Sequence, residues 1–248
     1  MKIGFFGDSY VDVFLHNALT NQRSWAFKLL EEFESPIIST GYSGSNQFHA
    51  IQEWKKFKQS NKDIDVAIWT FTWDNRLYNS WQLNQIIFSA AAEKRHNEIR
   101  EVYKNTILNP DDPEMVNNLL SAHDLYQRYV YDQTQSEFLY SFMLKWILDL
   151  PNDNKNIKFI FIPNTELANS LSKEHFHTGV LLDFAFETLS NSESEAPEPM
   201  PVNCGRVGHI NNANIDNFKN LISTIIKNYK SYENKIYKVD YDKFEIKK

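Results

Sequence analysis

Short apolar runs that stop at turn residues constrain the fold of this chain more than any other feature of its sequence. There are four such runs, at residues 2–6, 36–39, 66–69 and 157–162. Runs of this length that end at a turn are typical of strands buried in a parallel sheet. Amphipathic helical patterns lie between them, around residues 25–33 and 46–59. Strands that alternate with helices predict a parallel sheet joined by right-handed crossovers, and so an α/β fold.

The stretch at about 83–150 departs from this alternation, because it keeps helical periodicity throughout. The segment Asn109-Pro110-Asp111-Asp112-Pro113 interrupts it and separates two long helices or helix groups. We interpret the stretch as a helical insertion in the α/β core. It forms either a cap over one end of the sheet or an enlarged crossover that only packs against the sheet. A further helix is predicted at about 211–229.

The composition indicates one soluble globular domain and excludes several functional classes. The 248 residues carry a net charge of −6 and contain no long basic tract, so the charge pattern does not indicate nucleic-acid binding. Cys204 is the single cysteine, which excludes a disulfide within the chain. His175 and His177 have no obvious third ligand nearby, so we expect no metal. Without a signal peptide or an apolar run of about 18 residues, we expect a cytoplasmic protein with no membrane span.

Ser9 directly follows the first apolar run, in the segment Gly7-Asp8-Ser9. This position predicts a serine at the carboxyl edge of a parallel sheet, where ligands of open α/β sheets bind. Backbone N–H groups at the start of the following helix would stabilise the oxyanion formed when serine attacks an acyl carbon. The alternative is that Ser9 only caps that helix.

His209 is the candidate base, because a serine needs one to become a nucleophile. It lies between an irregular loop at 190–203 and the predicted helix at about 211–229. From there it could face the edge of the sheet. The alternative is a histidine that only makes local hydrogen bonds at the start of that helix.

Two further turns follow predicted strands and contain groups that can bind an oxyanion. Gly41-Tyr42-Ser43-Gly44-Ser45-Asn46 exposes backbone N–H groups through its two glycines. Thr70-Phe71-Thr72-Trp73-Asp74-Asn75-Arg76 contains Asn75, whose side-chain amide can donate to an oxyanion. Arg76 can bind an anionic group or hold the loop. Either segment could equally be a turn with a structural role alone.

Taken together, the order and spacing of these segments resemble the SGNH (GDSL-like) hydrolase family. Gly7-Asp8-Ser9 matches the first block of the family, Gly41-Tyr42-Ser43-Gly44-Ser45 resembles the second, and Gly208-His209-Ile210-Asn211 resembles the last. The resemblance covers about residues 1–80 and 155–229. It implies a flavodoxin-like three-layer sandwich of SGNH type around a central parallel sheet. The whole chain, 1–248, would then be a single domain with the helical insertion at about 83–150.

The resemblance also implies a mechanism and a set of site residues. Ser9 would be the nucleophile and His209 its base, while the N–H groups of Ser9 and Gly44 and the amide of Asn75 would bind the oxyanion. The expected substrate is a small-molecule or carbohydrate ester, such as an O-acetyl group, or a lipid ester, and no cofactor is expected. The residues expected to contact the substrate are Asp8, Tyr42, Trp73, Arg76 and Arg206.

Two of the blocks depart from the family pattern. The usual Gly-x-Asn-Asp is absent around Asn75, and Arg206 stands where the family places the aspartate that orients the histidine. His209 would then depend on a backbone carbonyl or on a loop carboxylate, for which the choices are Glu193, Glu195 and Glu198. The departure leaves two alternatives open: a catalytically weak or inactive binding protein of the same fold, and an O-acyltransferase.

Overall fold

The computed structural model describes residues 1–14, 16–17, 22–41, 45–60, 62–71, 132–163 and 212–228, and the single positions 118, 121, 125 and 129. The described strands are β1 (Ile3–Phe6), β2 (His16–Asn17), β3 (Gln22–Arg23), β4 (Val66–Phe71) and β5 (Lys158–Pro163). The described α-helices are α1 (Trp25–Glu32), α2 (Gln47–Gln59), α3 (Gln133–Leu148), α4 (Leu150–Asp153) and α5 (Asn212–Asn228). A 3₁₀ turn spans Ser9–Val11.

The central sheet consists of three parallel strands in the order β1-β4-β5. In this register Ile3 lies opposite Val66, and Val66 lies opposite Lys158. All residues of β1 and β4 are buried, as expected for strands covered on both faces. The predicted α/β arrangement is confirmed to this extent, and three of the four predicted strands lie in this sheet.

The prediction of a fourth strand at 36–39 was wrong, because these residues form no ladder with β1. The segment does run along the outer edge of β1, where the N–H of Ile3 donates to Ser35 Oγ at 2.9 Å. At its far end the N–H of Gly41 donates to the carbonyl of Val11 at 3.0 Å. Pro36 has no N–H to give to a ladder, and the hydroxyl of Ser35 takes a strand donor of β1. Side-chain contacts therefore replace strand pairing at this edge.

Two apolar cores cover the two faces of the sheet, because successive side chains of a strand point to opposite faces. On one face the sheet packs against α1 and α5, with a core that includes Ile3, Phe5, Ile68, Ile160, Trp25, Leu29, Phe218 and Ile222. On the other face it packs against α2 and α3, with a core that includes Phe6, Trp69, Phe71, Phe159, Trp54, Tyr140 and Leu144. The described helices therefore cover both faces and leave the strand ends for the connecting loops.

Side-chain caps fix the starts of α1 and α2. Ser24 Oγ accepts from the N–H of Phe27 at 3.2 Å at the start of α1, and Asn46 Oδ1 accepts from the N–H of His49 at 2.9 Å at the start of α2. The helices predicted at 25–33, 46–59 and 211–229 are confirmed within the described residues. α3 falls in the stretch at about 83–150, of which the part before residue 132 lies outside the described residues except for four helical positions. Its role as cap or crossover stays a prediction.

The antiparallel pair of β2 and β3 was not indicated by the sequence. His16 pairs with Arg23, and Asn17 pairs with Gln22. Strands of two residues are too short to show any periodicity, so no pattern could have predicted them. Among the helices that the structure describes, none has both the length and the apolar character needed to cross a membrane.

Candidate functional site

Ser9 opens a short turn at the carboxyl end of β1, the edge at which the sequence predicted it. The turn is a 3₁₀ turn over Ser9–Val11 and does not continue into the helix that the sequence analysis expected. Asp8 is fully buried and caps the turn: its Oδ1 accepts from the N–H of Tyr10 and its carbonyl from the N–H of Val11, both at 3.2 Å. The N–H of Ser9 precedes these two donors and is the first N–H of the turn.

Gly7 brings the chain between β1 and this turn unusually close to β4. Its φ of +148° is a conformation that residues with a side chain rarely adopt. A Cβ at this position would lie 2.0 Å from Thr70 Oγ1 and 2.9 Å from the carbonyl oxygen of Thr70. The first residue of Gly7-Asp8-Ser9 must therefore be glycine for reasons of both conformation and space.

The two described residues of the segment predicted as the second block, Gly41 and Ser45, contact the chain around the same turn. A Cβ on Gly41 would lie 2.2 Å from the carbonyl oxygen of Asp8, so the two backbones are in close contact. The hydroxyl of Ser45, 2% exposed, donates to the carbonyl of Gly7 at 3.0 Å. The two segments that the sequence analysis treated as separate motifs are thus brought together at one edge of the sheet.

The third contributor to this edge is the end of β4. Thr70 is fully buried there, and its hydroxyl has no hydrogen-bond partner among the residues that the structure describes. Thr70 and Ser45 were predicted only as members of their turns, with no role of their own. Their positions after predicted strands were the available signal, but the contact of both with Gly7 depends on tertiary structure.

The other predicted site residues lie outside the described residues, so their roles stay predictions. They are Tyr42, Gly44, Trp73, Asn75, Arg76, Arg206 and His209. Asp8 is described, and its carboxylate caps the turn; contact between Asp8 and a substrate also stays a prediction. Within the described ranges, no group of three or more histidine, cysteine, aspartate or glutamate residues is arranged to hold a metal ion.

One titratable group lies on the first turn of α2, close to the second segment. The Nε2 of His49 is 4.0 Å from Glu53 Oε1, and its side chain is 11% exposed. Burial lowers the pKa of His49 below its usual value, and the neighbouring Glu53 carboxylate opposes that effect. The neutral form of the ring is therefore favoured, and no sequence motif indicated this histidine.

Comparison of the chain with protein-family models, with curated proteins and with solved structures finds no match. The resemblance to SGNH hydrolases therefore depends on the motifs themselves, above all Gly7-Asp8-Ser9 and Gly208-His209-Ile210-Asn211. To the first of these motifs the structure adds a position at the carboxyl edge of a parallel sheet and close contacts with two other segments.

Proposed function

We propose that the chain is a serine esterase or acyl hydrolase of SGNH type, a single-domain three-layer sandwich that acts on small acyl esters. The observation that carries the proposal is the meeting of three segments at the carboxyl edge of the sheet. Gly41 and Ser45 from one segment, and Thr70 at the end of β4, each contact the residues around the Ser9 turn there. Ligand sites of open α/β sheets occur at this edge.

In the proposed reaction the Ser9 hydroxyl oxygen attacks the acyl carbon of the ester while His209 accepts the hydroxyl proton. The tetrahedral intermediate collapses to acyl-Ser9, and His209 returns the proton to the leaving alcohol. A water molecule then attacks the acyl carbon, with His209 again as base, and releases the acid and free Ser9. The N–H groups of Ser9 and Gly44 and the amide of Asn75 bind the oxyanion in both steps.

The hydrogen bonds of the turn support the oxyanion role of Ser9. Asp8 directs its carboxylate and its carbonyl at the N–H groups of Tyr10 and Val11. The first N–H of the turn is that of Ser9, at the N-terminal end where backbone donors point outwards. A backbone donor held by a capped turn needs little reorganisation when charge develops on the substrate, which is the condition for effective oxyanion binding.

The direct test is hydrolysis of p-nitrophenyl acetate by the purified protein and by Ser9→Ala. We expect the variant to lose at least about a thousandfold in kcat/KM, because the nucleophile is gone. His209→Ala should lose at least about a hundredfold, the usual contribution of a general base. Ser141→Ala, which removes a hydroxyl from α3, is the matched control and should keep wild-type turnover. Unchanged turnover by pure Ser9→Ala would overturn the proposal.

The second candidate is a non-catalytic binding protein of the same fold, and the presence of an arginine at position 206 favours it. An arginine replaces the aspartate that would orient His209, which weakens the case for catalysis. A fluorophosphonate probe separates the two candidates, because it reacts with an activated serine and not with an inert one. Labelling at Ser9 supports an enzyme, and a carbohydrate acceptor added to the assay then distinguishes hydrolysis from acyl transfer.

A further inference from the structure

The proposed mechanism leaves one buried polar group at the site unused. The side chain of Thr70 is 0% exposed, and its hydroxyl has no hydrogen-bond partner in the part of the chain that the structure describes. A buried hydroxyl without a partner destabilises a fold, since it loses its hydrogen bonds to water and gains none. Such a group at the edge of a functional site therefore requires an explanation.

The hydroxyl of Thr70 fills the space that a side chain on Gly7 would occupy. Its Oγ1 lies 2.0 Å from the position of a Cβ on Gly7, and the next nearest side chain is Val11, at 3.1 Å. The carbonyl of the same glycine accepts the hydrogen bond of Ser45 at 3.0 Å. Hydroxyl groups from β4 and from the start of α2 thus hold Gly7, two residues before Ser9.

We propose that Thr70 is a positioning residue for Ser9, whose hydroxyl oxygen sets the height of the Gly7-Asp8-Ser9 segment above the sheet edge. The inference depends on the proposed role of Ser9 as nucleophile. A displacement of about 1 Å at a reacting group can cost about a hundredfold in rate, so a contact two residues away is sufficient to matter. An oxygen fits against Gly7, whereas the larger γ-methyl of valine would push the glycine away and alanine would leave a gap.

The test compares the rate at which a fluorophosphonate labels Ser9 in the wild type and in three variants at position 70. Thr70→Ser keeps the oxygen, and we expect labelling within about twofold of the wild type, a difference well under the 1.4 kcal/mol that a tenfold change represents. Thr70→Ala and Thr70→Val lose the oxygen and should be labelled about tenfold more slowly. Thr224→Ala removes an exposed hydroxyl from α5 and should leave the rate unchanged.

Two further measurements separate positioning from a general loss of structure. Thr70→Ser loses the buried methyl group and should melt below the wild type, yet Ser9 in this variant should be labelled at the wild-type rate; only the alanine and valine variants should be slow. Turnover of p-nitrophenyl acetate should show a lowered kcat with KM within about twofold, because an interaction specific to the transition state is weakened. The midpoint of the pH profile should stay that of the wild type, since the base is untouched.

Each result decides the inference. Equal labelling rates in the wild type and Thr70→Ala overturn it, and so does a Thr70→Ser variant as slow as the alanine variant, since methyl packing would then be the cause. If Thr70→Ala does not fold, the contrast between Thr70→Val and Thr70→Ser decides in the same way. Absence of labelling in the wild type instead overturns the proposed function, which distinguishes that failure from failure of the positioning role.

Discussion

The hydroxyl of Ser45 donates a hydrogen bond to the carbonyl oxygen of Gly7 at 3.0 Å, across 38 residues of sequence. β1 pairs with β4 only as far as Phe6, so the Gly7 carbonyl lies beyond the last paired residue of that ladder. The buried hydroxyl of Ser45 gives this carbonyl the hydrogen bond that a neighbouring strand would otherwise supply. This contact joins the start of α2 to the segment that leads into the Ser9 turn.

Replacement of Ser45 by alanine should therefore destabilise the fold. Ser45→Ala leaves the buried carbonyl of Gly7 without this donor, and the expected loss in free energy of unfolding is about 1–3 kcal/mol. Urea denaturation followed by circular dichroism measures it. Thr224→Ala, at an exposed hydroxyl of α5, should stay within about 0.5 kcal/mol of the wild type. Equal stability of the Ser45 variant and the wild type would show that the hydrogen bond contributes nothing.

Replacement of Gly7 by alanine should be far more damaging. The added Cβ meets both Thr70 Oγ1 and the Thr70 carbonyl oxygen, and the backbone must also keep a φ of +148°. Strain and overpacking cost about 1–3 kcal/mol each, so we expect a loss of about 3 kcal/mol or more, or insoluble protein. The double variant Gly7→Ala/Thr70→Ala should recover little, since the carbonyl contact and the φ remain.

Gly4 provides the matched control on the same strand. A Cβ there would meet only side-chain atoms, the nearest being Ser39 Oγ at 2.9 Å, followed by Ile64 Cδ1 at 3.3 Å. The ends of side chains can move, whereas a backbone carbonyl cannot do so cheaply. Gly4→Ala should thus cost clearly less free energy of unfolding than Gly7→Ala. Equal losses in the two variants would contradict the close approach of Gly7 to β4.

Most of the central sheet could be predicted from the sequence. Short apolar runs and helical periodicity were enough to place β1, β4 and β5, because burial on both faces requires that pattern. The absence of a strand at 36–39 was not predictable, since the hydroxyl of Ser35 competes with a ladder through a contact that no sequence pattern indicates.

The candidate site was predictable only in part. The place of Ser9 at the end of β1 followed from the sequence, but the helix expected after it is a single 3₁₀ turn that Asp8 caps. The contacts of Ser45 and Thr70 with Gly7 join segments far apart in sequence, and local patterns carry no information about such pairs. The role of His209 as the base for Ser9 stays a prediction.

The end of α1 offers a substitution that should stabilise the protein. Glu34 has a φ of 49°, and the N–H of the following Ser35 donates to the carbonyl of Leu30 at 2.9 Å. This is a Schellman ending, in which the left-handed residue is usually glycine. Glu34→Gly removes the left-handed strain but makes the unfolded chain more flexible, so we expect a net gain of about 0.5–1 kcal/mol.

Glu31→Gly, three residues earlier and inside α1, is the opposite control for that gain. Glycine within a helix should cost about 1 kcal/mol relative to a good helix former. Thermal melts of the two variants should therefore move in opposite directions from the wild type. A lowered melting temperature for Glu34→Gly would show that the carboxylate contributes more than the strain costs.

Glu32 at the end of α1 should make stability depend on pH, because it accepts hydrogen bonds from three side chains of α5. These come from Lys219 at 2.7 Å, from Lys227 at 2.6 Å and from Ser223. The bond from Lys219, followed by those from Lys227 and Ser223, lowers the pKa of Glu32 from 4.5 to about 2. A carboxyl group whose pKa is lower in the folded than in the unfolded protein stabilises the fold at pH values above the unfolded pKa. This contribution is lost as the pH falls from 4.5 towards 2.

The variant that tests this is Glu32→Gln, measured by urea denaturation at a series of pH values. At pH 7 it should be less stable than the wild type by about 1–2 kcal/mol, a figure reduced for solvent screening because the Glu32 side chain is 25% exposed. The difference should shrink as the pH falls from 4.5 towards 2, where the wild-type carboxylate becomes neutral too. Glu31→Gln, whose partner Arg23 lies 3.8 Å away at the surface, should change stability at pH 7 by under about 0.5 kcal/mol. A difference between Glu32→Gln and the wild type that stays constant from pH 7 to pH 2 would mean that the carboxylate charge does not stabilise the contact between α1 and α5.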